Sequence, residues 1–237
     1  MSTSITVFHV RDRQPEEVES ALNAIFAREE RPGVLRVEGT YSAVLARATS
    51  PELNASYRYL ICRPPHTSQW TPVLEVGNRT DGLEIELSRT LSSATICALF
   101  VYGDVVSGYR VVRDGQECDR YLSDPTYSLD EDEKDGTATL SEPDFLAIRG
   151  QPERFADLFP AGTSPADFAR VVLQPGWWED HDAGSTADED DLVDEEDRMR
   201  CMGLALELWS PTEYPFAQEP EDVPNAVAGP AIALAFE

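Results

Sequence analysis

The sequence predicts an α+β fold, an antiparallel or mixed sheet with two helices on one face, followed by a helical, acidic C-terminal half. Short runs of β-branched and aromatic residues recur through residues 1–125. Two stretches there, 15–30 and 82–93, space their apolar residues at helical intervals instead. Past Pro125 the composition turns acidic and rich in proline. The division this implies is a sheet domain at 1–125 and an acidic region at 126–237, made of short helices plus a Pro-rich tail and packed on the first.

SITVFHV (4–10) alternates and reads as a strand. PEEVESALNAIFAREE (15–30) opens on Pro15, which suits a first helical position, and Glu16 and Glu17 suit the positive end of the helix dipole. Val18, Leu22, Ile25 and Phe26 fall on one side, and Pro32-Gly33 ends the helix. Strands are expected at VLRVEG (34–39), YSAVLAR (41–47), YRYLICR (57–63) and TPVLEV (71–76). A second helix, GLEIELSRTLSS (82–93), follows Thr80-Asp81 and aligns Leu83, Leu87 and Leu91. ATICALFVY (94–102) is apolar on both faces, which places it centrally in a sheet. GYRVVRDGQECDRYLS (108–123) is a hairpin turning at Asp114-Gly115.

DEDEKDG (130–136) is a charged connector. Three short proline-initiated segments follow, SEPDFLAIRG, GQPERFADLFP and TSPADFARVVL. Each brings a phenylalanine to dock on the sheet: Phe145, Phe155 and Phe168. Ser164 and Asp167 have capping-box spacing. Prolines 211, 215, 220, 224 and 230 forbid helix in the tail and predict an extended segment, with AIALAF (231–236) adding an edge strand.

Charge is the strongest compositional signal. The net charge is −25, and it is unevenly placed. Residues 1–129 hold 17 acids and 13 bases, residues 130–178 hold 10 and 4, and residues 179–237 hold 17 and 2. This balance disfavours nucleic acid and anionic membrane as direct partners and favours a basic protein surface. No apolar run approaches the roughly 18 residues of a membrane span. The N-terminus lacks a basic segment followed by an apolar one, so a cytoplasmic location is expected. Cys62, Cys97, Cys118 and Cys201 are far apart, with no C-x-x-C pair, and read as reduced thiols.

Metal and catalytic chemistry find little support. EDEKDGTATLSE (131–142) offers Glu131, Glu133, Asp135 and Glu142 as weak calcium ligands, but glutamates stand where shorter aspartates belong. DHDAGSTADEDD (180–191) is a second near match, without the glycine that such a loop needs at its sixth place. Cys62 and His66 have no second ligand pair, and His9 and His181 stand alone. No cofactor is expected. The sequence contains no nucleophile elbow, zincin, P-loop or dinucleotide motif.

The run Trp177–Arg200, WWEDHDAGSTADEDDLVDEEDRMR, carries the sharpest expectation. Thr186 and Glu189 have capping-box spacing, acids fill the first turns, and Leu192, Met199, Leu206 and Trp209 continue a stripe, so a helix is predicted over about 187–208. Eight of the ten residues from Asp188 to Asp197 are acidic. Wound as a helix, they present roughly one charge per 1.9 Å, close to the roughly 1.7 Å of duplex DNA. The expected partner-binding residues are Trp177, Trp178, Asp188, Glu189, Asp190, Asp191, Asp194 and Glu195. The function expected is a non-enzymatic interaction module, an inhibitor or immunity-like regulator of a basic protein. The rivals are a hydrolase-like enzyme with its site in the cleft between the halves, and a scaffold in which the acidic run only confers solubility.

Overall fold

The computed structural model describes residues 4–63, 69–76, 82–102, 106–124, 146–173 and 230–237. Eight strands form one sheet: β1 (Ser4–Arg11), β2 (Gly33–Thr40), β3 (Tyr57–Cys62), β4 (Trp70–Glu75), β5 (Ile96–Tyr102), β6 (Val106–Arg113), β7 (Gln116–Leu122) and β8 (Pro230–Phe236). Their order is β2-β8-β3-β4-β1-β5-β6-β7, and every pairing is antiparallel. Among the described residues, three helices of eight residues or more accompany them: α1 (Pro15–Arg28), α2 (Tyr41–Ala48) and α3 (Leu83–Thr90). The α+β class and the antiparallel sheet therefore stand. Among the described residues no helix is long and apolar enough to cross a membrane.

Strand alternation sorts the core into two layers. On one face Phe8, Val10, Ile61, Val73, Ile96 and Leu234 meet Leu22 and Phe26 of α1 and Leu83 and Leu87 of α3. These are the two helices expected on one face, and their predicted apolar stripes are the residues that are buried. At α1 the cap is a box in which Gln14 and Glu17 bond reciprocally, with Gln14 N–H donating to Glu17 Oε2 at 2.8 Å. The opposite face is covered as well. At one end α2 sets Tyr41, Val44, Leu45 and Ala48 on Val7, Leu60, Leu74 and Ala233. At the other, Phe155, Leu158, Phe168 and Val172 pack on Leu99, Tyr109, Val111 and Tyr121.

Two expectations are corrected. YSAVLAR is not a strand but helix α2. Its buried residues Tyr41, Val44, Leu45 and Ala48 lie at i, i+3, i+4 and i+7, a helical period that outweighs the β preference of tyrosine and valine. AIALAF is not an edge strand: β8 lies inside the sheet, paired with β2 on one side and β3 on the other. The reason is its two-sided apolar pattern. Ile232, Leu234 and Phe236 belong to the core under α1, while Ala231 and Ala233 face α2, their small side chains letting that helix lie close. Phe236 stacks on Phe26 with ring centroids 4.2 Å apart.

Other expected features are present among the described residues. β5 lies between β1 and β6. The β6–β7 hairpin turns through Asp114 and Gly115, both with positive φ (51° and 68°), as a two-residue turn of the primed type requires. Ser164 caps the helix Pro165–Phe168, accepting from Asp167 N–H at 3.1 Å. Phe155 and Phe168 dock edge-on against Tyr109. Phe145, Thr80-Asp81 and the proline-rich tail before Pro230 lie outside the described residues.

Candidate functional site

The expected partner-binding residues Trp177, Trp178, Asp188, Glu189, Asp190, Asp191, Asp194 and Glu195 lie outside the described residues. So do the calcium candidates Glu131, Glu133, Asp135 and Glu142, and also His66, His181 and Cys201. Among the described residues no group of three or more His, Cys, Asp or Glu side chains is arranged to hold a metal. What the fold does define is where the acidic segment begins and ends, and which ionisable groups flank those points.

Residues 174–229 run between two anchored ends. The upstream end is Leu173, which packs with Phe155, Phe168 and Tyr109. The segment leading to it is fixed to the sheet by a buried polar lock. Asp119 on β7 accepts the Tyr109 hydroxyl at 2.8 Å and the Gln151 N–H at 3.0 and 2.9 Å to its two oxygens. Gly150 makes this approach possible: its φ is 77°, and a Cβ there would meet the Tyr109 hydroxyl at 2.7 Å. Burial pushes the Asp119 carboxyl above the ordinary range, outweighing the bonds from Gln151 and Tyr109 that favour its charged form. Outside this lock, Asp157 receives Arg113 at 2.7 Å and lies 3.8 Å from Arg11. Burial would raise its pKa, but the Arg113 hydrogen bond and charge prevail and hold it low.

The downstream end is Pro230, whose carbonyl accepts Arg63 N–H at 3.1 Å. Arg63 also pairs with Glu16 and lies 3.6 Å from Glu38. Beside it Arg36 bridges Glu19, with Nη2 to Oε2 at 3.0 Å. The Glu16 pKa is lowered by its backbone hydrogen bond and by Arg63. An open groove of about 500 Å³ runs between α1 and α3, lined by Glu16, Glu17, Ser20, Ala21, Thr90 and Leu91. The strand returning from the acidic segment thus enters the sheet next to the acidic first turn of α1.

Several polar and ionisable residues lie in the core. His9, with Nδ1 3.2 Å from the Cys97 carbonyl, and Cys97 itself are fully buried; burial pushes the Cys97 thiol well up, away from thiolate. Cys62 is buried too, and Cys118 is half-buried. Asp119 and Tyr109 spend their polar atoms on one another and on the backbone. Sequence reading missed this pair, although a signal existed: in QECDRYL, Asp119 shares a strand face with Tyr121, an acid at an apolar position.

An α+β protein built on one eight-stranded antiparallel sheet, carrying a long acidic insertion, is the class these features define. Compared with protein-family models, curated proteins and solved structures, the chain gives no match.

Proposed function

We propose that the chain is a non-enzymatic interaction module, an inhibitor or immunity-like regulator that engages a basic protein surface through its acidic insertion. The observation that carries this reading is the placement of charge relative to the fold. Residues 174–229 hold 16 acids and 2 bases, and the chain enters and leaves that stretch at two points seated in the sheet, Leu173 and Pro230. The acids therefore belong to a closed insertion and not to a free tail, which shortens the span over which a partner must order them. Trp177 and Trp178, a few residues past Leu173, supply aromatic anchors beside the carboxylates.

The test is affinity purification from the native host at low and high salt, with mass spectrometry of the eluate and a binding titration of the basic protein recovered. Replacing Asp188, Glu189, Asp190, Asp191, Asp194 and Glu195 by their amides is expected to weaken binding roughly 100-fold or more at low salt, with the melting temperature unchanged. Binding by the native chain should fall steeply between low and high salt. A partner held equally well in both would remove the electrostatic basis of this reading.

A further inference from the structure

We infer that the exposed edge of β2 is a self-association surface, on which a second copy of the chain adds its own β2 antiparallel across a two-fold axis at Val37. The sheet has β2 at one end, and its outer side pairs with no strand among the described residues. Edges of this kind template further strands unless charge, proline or a covering element blocks them. Here Gly33–Thr40 has no proline, and alternate residues along it are exposed. A bulge between Gly33 and Leu35 ends the regular ladder, leaving Leu35–Thr40 as the usable edge.

The hydrogen-bond phase shows which groups are available. Pro230 accepts from Arg63 on the β3 side, while Glu237 N–H donates to the Pro32 carbonyl on the β2 side. The backbone groups of β8 alternate between its neighbours, so Ala231, Ala233 and Ala235 point toward β2. Their register partners Gly39, Val37 and Leu35 point back, and Arg36, Glu38 and Thr40 therefore direct their N–H and C=O groups outward.

Charge then selects the register. With the axis at Val37, Arg36 of each copy lies opposite Glu38 of the other, and both are outward-facing residues that exchange backbone hydrogen bonds. Sliding the second strand by two residues in either direction sets Arg36 against Arg36 or Glu38 against Glu38. Opposite charges directly across an antiparallel pair are favourable and like charges are not. Only the Val37 register satisfies the backbone and both charges, and it is self-complementary, as a two-fold interface must be. The Arg36 side chain is 52% exposed and that of Glu38 47%. Within the chain they lie 3.7 Å apart, Arg36 also bonding Glu19 and Glu38 lying 3.6 Å from Arg63, so the pair across the axis extends an existing ion-pair cluster.

Sedimentation equilibrium across a concentration series tests this, because the 26.3 kDa chain should approach twice that mass. A single strand pair is a small interface, so a dissociation constant of roughly micromolar or weaker is expected. R36E and E38R each set like charges across the axis and should raise the dissociation constant at least 10-fold. Mixed together, R36E and E38R become complementary and should form heterodimers as tight as the native pair. E38P removes an outward N–H that the fold does not use and should also give monomers. Circular dichroism melts confirm that each variant is folded; if R36E is lost to its contact with Glu19, the E38R and E38P results decide. A native chain monomeric throughout, or a dimer indifferent to E38R and E38P, overturns the inference.

Discussion

A chain cut after Gly229 is expected to lose its cooperative unfolding transition. β8 is the last strand in sequence, yet it holds two ladders at once, to β2 and to β3. Removing it strips three large side chains, Ile232, Leu234 and Phe236, from the core beneath α1. Burying each contributes about 1.5–3 kcal/mol, so their joint loss rivals the roughly 5–15 kcal/mol that separates folded from unfolded states in a typical domain. α2 loses its alanine floor at the same time, and β2 keeps no neighbour in the sheet. The measurement is a thermal melt by circular dichroism with a dye that reports exposed apolar surface. Leu234→Ala is the graded control, expected to cost about 2–5 kcal/mol while preserving a single transition. A truncated chain that melts sharply within a few degrees of the native one would mean that the remaining strands close the sheet without β8.

That strand also marks the limit of what could be read from the sequence. Element types were legible wherever one period dominated: α1, α3, the central β5 and the Asp114-Gly115 hairpin each carry a local signal strong enough to stand alone. α2 was misread because YSAVLAR holds both β-forming residues and a helical stripe, and only the floor supplied by β3 and β8 decides between them. The place of β8 was misread because strand order is a long-range property. Nothing within AIALAF says that two strands far upstream, Gly33–Thr40 and Tyr57–Cys62, will flank it, although its two apolar faces argue against an edge. The Asp119 lock was missed for a related reason. An acid in a strand reads as solvent-facing until the segment at Gln151 is brought across it, and that contact spans 32 residues.

Asp119→Ala is expected to loosen the residues from Gly150 to Leu173 and to cost about 2–4 kcal/mol. The substitution leaves the Gln151 N–H and the Tyr109 hydroxyl buried without their acceptor, and stranding such groups costs more than the bond itself was worth. Tyr109→Phe, which removes one donor and leaves the carboxylate bonded to Gln151, should cost less. The pH dependence has a definite sign. Asp119 has a raised pKa in the folded chain, so folding favours its protonated form. Its contribution to stability therefore grows as pH falls through the raised value toward the ordinary carboxylate range, and is smallest near neutrality. Alanine has no such term. Urea melts of the two proteins at matched pH cancel the titration of every other group, and the gap between them should widen as pH falls from neutrality toward the ordinary carboxylate range. A gap that narrowed would mean that the carboxylate is held in its charged form, with hydrogen bonding outweighing burial. The same variant bears on the acidic insertion. Leu173 is where residues 174–229 leave the fold, so freeing Phe155 and Phe168 from Tyr109 slackens that end without touching a single acidic side chain. If the insertion binds because the fold presents it from two fixed points, Asp119→Ala should weaken the basic partner's binding, and Tyr109→Phe should do so less.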